Sequence, residues 1–197
     1  MTHGKPGDDF ASLMTKTMAN FKANCRGKKK QQNEATEDEF ICLIGAPLGM
    51  EDGRILNDSL TASSYWENLA NHSPIRARPN TTGYASAWVA ANGDSNPWIQ
   101  VDFYSKVGVT AVTTQGRRDM DQWVSEYQVE QSNNGSNWQS VTNEEGTIMF
   151  SGNTDRNSKV THRFKDPLHT RFIRILPKSW EAHCSLRFEL IGCYQSE

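Results

Sequence analysis

From Phe40 onward the chain alternates. In "NPWIQVDF", Trp98, Gln100 and Asp102 fall on one face of an extended segment, and Ile99, Val101 and Phe103 fall on the other. A period of two restricts a segment to a strand, because successive side chains of a strand point to opposite sides. "VGVTAVTTQG", "EYQVEQS" and "RFIRILP" repeat the period, with "NGDSNPW" and "SNNGSNW" supplying turn residues between runs. No internal repeat and no long helical pattern interrupts this block. The expected fold is all-β, an antiparallel sandwich or barrel.

Residues 1–39 read differently and are expected to form a separate region from the domain at 40–197. Asp8 or Asp9 caps a candidate helix in which Phe10, Leu13, Met14, Met18 and Phe21 form one apolar stripe, extended by Cys25. "RGKKKQQNEATEDE" follows as a charged, solvated linker. A helix this short is marginal alone in water. The region is therefore either a short amphipathic helix that finds cover, on its own domain or on other copies, or a disordered tail. Homo-oligomerisation through residues 8–25 and an intermolecular disulfide at Cys25 are the expectations that follow from the stripe.

The charge balance of 21 basic and 23 acidic side chains argues against nucleic acid as a partner, since phosphate binding draws on clustered excess Lys and Arg. No run of about 18 apolar residues suits a transmembrane helix. The N-terminal "MTHGKPGDDF" shows no apolar core of a signal peptide. The four cysteines and five histidines show no C-x-x-C and no metal-ligand spacing. Cys42 and Cys193 bracket the β block almost end to end, as a clasp or as two reduced thiols. Histidines 72, 162, 169 and 183 are scattered, and no Ser or Cys stands in a nucleophile motif, so no enzyme activity is expected.

"PLGMEDGRILNDSLTASSYW", "WIQVDF", "VTAVTTQGRRDMDQWVSEYQVEQSNNGSNW", "FSGNTDRNS" and "RFIRILPKSWEAHCSLRFELIGC" resemble, in order, the discoidin domain, also called the coagulation factor 5/8 C-terminal type. "TTQGRRDMDQW" and "GNTDRNS" look most like the retinoschisin and slime-mould discoidin branches. The resemblance covers roughly three quarters of the chain. It implies a jelly-roll-like β-sandwich or distorted barrel of about eight main antiparallel strands, clasped by Cys42–Cys193. It also implies non-catalytic recognition by loops at one end, in a secreted or cell-surface setting that supports adhesion. Relatives bind anionic phospholipid, glycans, collagen or protein receptors, so membrane phospholipid, a cell-surface glycan or a protein receptor is the expected partner.

Three loops are candidates for that end. "WENLANHSPIRARPN" offers Trp66, Leu69, His72 and Arg76, fewer large apolar side chains than lipid-binding members carry. The hairpin Arg117-Arg118-Asp119-Met120-Asp121 carries two guanidinium groups and a methionine, with Trp123 starting the returning strand. "SGNTDRNS" adds Asn153, Asp155 and Arg156 as a polar rim; the asparagine and aspartate oxygens suit calcium only weakly, so no cofactor or metal is expected. Trp98, Trp138 and Trp180 are expected in the core, and Arg174 and Arg187 beside Asp102 or Glu189. Cys184 alternates with Leu186, Phe188 and Leu190, as a buried thiol would. N-x-S/T sequons stand at Asn57, Asn71, Asn80 and Asn134.

Overall fold

The computed structural model describes Cys42 and residues 45–194. The expected helix over residues 8–25, the charged linker and Cys25 lie outside the described residues. Among the described residues nine strands follow one another: β1 (Ala46–Pro47), β2 (Leu60–Ala62), β3 (Trp88–Val89), β4 (Ile99–Gln115), β5 (Trp123–Ser132), β6 (Gln139–Ser140), β7 (Phe150–Ser151), β8 (Val160–Glu181) and β9 (Ser185–Cys193). All strand pairs are antiparallel. The hydrogen-bonded path runs β1-β9-β4-β8-β5-β6, open at both ends. The result is an all-β, discoidin-like sandwich. The strand count is nine because several two-residue bridges accompany the long strands that the alternating pattern marks.

Two strands are long enough to serve both layers. Ile99–Asp102 of β4 pairs with Phe172–Ile175 of β8. After a register break between Asp102 and Val107, β4 lies between the first part of β8 and β9. The bend has a local cause: Tyr104 takes a left-handed φ of 60°, and its N–H donates to Asp102 Oδ1 at 2.7 Å. In the first stretch Ile99 and Val101 are buried while Gln100 and Asp102 are half-buried, as alternation requires. Past the bend, Val107–Gln115 is buried on both faces. A central strand covered on both sides loses the period-two signature.

The core joins both layers. Trp88, Tyr127, Phe150, Ile173, Phe188 and Leu190 are all at most 1 % exposed. Tyr127 stacks on Phe150 with ring centroids 5.3 Å apart. Each such large apolar side chain contributes about 2–3 kcal/mol on burial. Cys184 is buried among them, and burial pushes its thiol above the ordinary range. Cys42 and Cys193 form the expected disulfide, with Cα atoms 5.8 Å apart. Cys193 pairs with Gly108 near the β4 bend. That places the clasp at one pole of the sandwich, with the 103–106 bend and the turn after Ser132. The β4–β5 hairpin and the β8–β9 turn lie at the other pole.

Several expected core or paired residues sit elsewhere. Trp98 and Trp138 are half-buried and Trp180 is exposed, so none belongs to the core. Arg174 separates the first two as a stacked cation, 4.1 Å from the Trp98 centroid and 3.8 Å from that of Trp138. Its guanidinium donates to Gln100 Oε1 rather than to a carboxylate. Asp102 instead takes two bonds from Arg171. Arg187 is buried and donates to the carbonyls of Gly116 and Arg156. Glu189 accepts from the backbone N–H groups of Gly49, Met50 and Glu51. Backbone groups thus satisfy Arg187 and Glu189 where the sequence suggested an ion pair, while Asp102 pairs with Arg171 instead.

Candidate functional site

The loop pole is built from four segments. The first, Trp66–Arg76, is a chain of three single-turn 3-10 helices, Trp66–Asn68, Ala70–His72 and Pro74–Arg76. Glu67 and Asn68 hold left-handed φ values of 49° and 53° inside it. The second runs from Asn80 to Ser86 and presents Tyr84, 70 % exposed. The third is the β4–β5 hairpin, closed by Arg117 N–H to Gln122 O at 2.8 Å. The fourth is the 151–158 loop.

Asp119 ties the hairpin to the second loop. Its Oδ2 accepts from the Ala85 N–H at 3.0 Å, and its Oδ1 accepts from the Ser86 N–H at 3.1 Å and the Ser86 hydroxyl at 2.8 Å. Arg117 adds a two-point grip, Nε to Oδ1 at 2.9 Å and Nη2 to Oδ2 at 3.0 Å. Ser86 Oγ in turn accepts from the backbone N–H groups of Arg118 and Asp119. Burial pushes the Asp119 carboxyl up, but the bonds from Arg117, Ser86 and Ala85 outweigh it. The group is held far below the usual carboxylate range.

Three other predicted site residues are also spent on positioning. Arg76 donates to the carbonyls of Thr82, Tyr84 and Ala85, clamping the second loop from beneath. His72 is 4 % exposed and meets the Tyr84 ring edge-on at 5.8 Å. Trp66, half-buried, makes the same kind of contact with His183 at 4.9 Å. Arg117 is itself 3 % exposed and is a strut rather than a surface charge. Exposed members include Leu69, Ile75, Tyr84, Arg118 and Met120, with Asp119 and Asp121 exposed beside Met120.

The fourth segment stands beside the hairpin. A Cβ at Gly116 would lie 2.6 Å from the Asp155 carbonyl and one at Gly152 would lie 2.2 Å from that of Val124, so glycine permits both approaches. Arg156 Nε donates to Asp121 Oδ1 at 2.5 Å across the gap. Asp155 accepts from Asn157 and Ser158, and Asn153 is buried, donating to the carbonyls of Thr114 and Ser158. These oxygens and donors hold the loop itself. Among the described residues no cluster of three or more His, Cys, Asp or Glu is placed to hold a metal ion. An open depression of about 400 Å³ remains, lined by Asp121, Trp123, Asp155, Arg156, Asn157 and Ser158.

Sequence reasoning missed the second loop. Its signal was a lone tyrosine after glycine in "NTTGYAS", a turn stretch with no buried-face pattern to explain it. It also paired Arg117 with a ligand, where the structure pairs it with Asp119.

The buried position of His72 should make this pole acid-sensitive. Burial, then the neighbouring Arg117, lowers its pKa from the ordinary 6.5, against the weaker pull of Asp119 and Glu67; His183 also disfavours its protonation. The unfolded chain thus binds the proton more readily than the folded one. The stability this imidazole contributes is present above 6.5 and is lost as pH falls toward the folded value. Thermal unfolding between about pH 7 and pH 5 should show a decline that His72→Phe largely removes. An undiminished decline in that variant would assign the effect to other groups.

The F5/8 type C domain profile matches residues 59–190. Mouse retinoschisin is 33% identical over 157 residues, which cover 77% of this chain and 70% of that protein. Pig coagulation factor V is 38% identical over 159 residues, covering 75% of this chain but 7% of the factor. The chain therefore spans a small part of that relative's length. Among solved structures, wild-type discoidin II from Dictyostelium discoideum superposes with a TM-score of 0.62 at 29% identity, covering 70% of this chain and 55% of that one. Sequence order, disulfide-clasped sandwich and loop pole agree: the chain belongs to the F5/8 type C, or discoidin, domain family of non-catalytic recognition modules.

Proposed function

We propose that this domain is an extracellular recognition module that seats its loop pole on anionic phospholipid at a cell surface, supporting adhesion. One observation carries the reading: Leu69, Tyr84 and Met120 are 43%, 70% and 45% exposed on three successive loops that internal bonds hold together. Large apolar tips raised on an otherwise satisfied polar frame suit an interface that is apolar below and wet above. Arg118, exposed beside them, supplies a phosphate contact.

The magnitudes describe a weak contact. Covering the exposed parts of the three tips contributes about 1 kcal/mol each, and a basic side chain near an anionic surface adds about 1 kcal/mol. A total of about 4 kcal/mol corresponds to a roughly millimolar affinity. Useful attachment needs several copies acting together, the role proposed for residues 8–25.

Sedimentation with vesicles tests this directly. Binding should require phosphatidylserine, weaken with salt, and fall about tenfold for each ~1.4 kcal/mol removed when Leu69, Tyr84 and Met120 are changed to serine. Equal binding to neutral vesicles, or no loss in the triple variant, would overturn the lipid reading. A glycan reading is favoured by the open depression, where the half-buried Trp123 stands beside polar groups of Asp121, Arg156 and Asn157. Under that reading free galactose competes and Trp123→Ala abolishes binding. Indifference to both lipid and sugar points to a protein receptor.

A further inference from the structure

Of the four sequons, that of Asn134 stands in the turn after Ser132, at the pole away from the proposed binding loops. β5 leaves the hairpin at Trp123 and ends nine residues later at Ser132, a run of roughly 30 Å. Asn134 lies in the turn that follows, exposed to solvent. Its side-chain bonds all run through one atom: Oδ1 accepts from the N–H groups of Ser136 at 2.9 Å and Asn137 at 2.8 Å, and from the Ser132 hydroxyl at 3.1 Å, while its backbone N–H donates to Ser132 Oγ at 3.3 Å. Nδ2, the atom that N-glycosylation modifies, takes no part in this cap.

The other three are used differently. Asn71 is half-buried between Leu69 and His72, so a glycan there would stand on the binding face. Asn80 spends Nδ2 on Glu51 Oε1, and its own φ is left-handed at 57°. Asn57 Oδ1 accepts from the Arg78 guanidinium, which also holds the carbonyls of Met50 and Ile55.

We propose that Asn134 is an N-glycosylation site and carries an oligosaccharide at the pole opposite the binding loops. This rests on the extracellular reading above. The step joins Nδ2 to the anomeric carbon of a lipid-pyrophosphate-linked oligosaccharide, breaking the bond from that carbon to the pyrophosphate oxygen. It releases the lipid pyrophosphate and one proton from the amide nitrogen. Oδ1 remains a carbonyl oxygen in the product, so the turn keeps its cap. Gly135, at a φ of 72° over the Phe172 ring, holds the turn in the shape that presents Asn134 outward.

The full chain, given a heterologous secretion leader and expressed in a glycosylating eukaryotic host, tests the site independently of natural export. Endoglycosidase should collapse an electrophoretic shift in the secreted protein, and that component of the shift should be missing from Ser136→Ala. Ser136→Ala keeps Asn134 and its cap; Asn134→Gln, which removes the cap, serves as the second variant. Amide-cleaving glycosidase in heavy-oxygen water should convert Asn134 to labelled aspartate, and the same incubation without enzyme should leave it unlabelled, separating glycan release from spontaneous deamidation of Asn134-Gly135. Vesicle binding should be the same before and after glycan removal. A secreted chain with unlabelled Asn134, whether or not another sequon is occupied, overturns the proposal. Loss of vesicle binding in both glycosylated and stripped protein counts against the lipid reading and leaves the site mapping intact.

Discussion

Asp119→Ala lowers the unfolding free energy by about 3 kcal/mol and uncouples the hairpin from the second loop. The estimate follows from what the substitution leaves behind: Arg117, 3 % exposed, would keep its charge and lose its two-point carboxylate partner. The Ala85 and Ser86 N–H groups would lose their acceptor as well. Tyr84 and Met120, raised on the two uncoupled loops, would no longer be tied together, so vesicle binding should fall even where the variant remains folded. Because hydrogen bonds hold the Asp119 carboxyl far below its usual range, the defect should be as large in mild acid as at neutral pH. Denaturant unfolding with unchanged slope checks the stability, and vesicle sedimentation checks the function. An unmoved midpoint with abolished binding would show that Asp119 touches the ligand instead.

Replacing Cys42 and Cys193 together with serine has the other large effect. The bond closes a loop of sequence separation 151, and removing such a constraint costs about 2–5 kcal/mol. Reduction of the native protein should reproduce the loss. The loops proposed to bind lie at the opposite pole, so at a temperature where the doubly substituted protein remains folded its vesicle binding should match that of the native chain. The two predictions therefore separate: one damages stability and recognition together, the other stability alone. A loss below about 1 kcal/mol would mean that the unfolded chain is already restricted without the bond.

What was legible in the sequence follows from what local periodicity can report. Ile99 and Val101 alternate with Gln100 and Asp102, and that is enough to orient a strand between core and solvent. The pattern fades in Val107–Gln115, which is buried on both faces, and it gives no warning that β4 bends into a second layer. The three loops named from the sequence do gather at one pole, with the 151–158 loop bonded to the hairpin through Arg156 and Asp121. The roles inside them were not readable. Asp119 acts through amides 33 and 34 positions earlier, and Arg76 through carbonyls 6 to 9 positions later. Such bonds have no repeat and no characteristic residue spacing. An arginine clamping a loop and an arginine offered to a phosphate are written with the same letter.

The position of the clasp has a consequence for architecture. Cys42 and Cys193 mark where the chain enters and leaves the folded unit, 5.8 Å apart, on the side away from Leu69, Tyr84 and Met120. A unit whose two ends emerge side by side from its back can be spliced into a surface loop or threaded into a series without disturbing its face. Evolution can then vary what precedes and follows such a unit, and an engineer can graft it as a cassette, while the surface it presents stays the same.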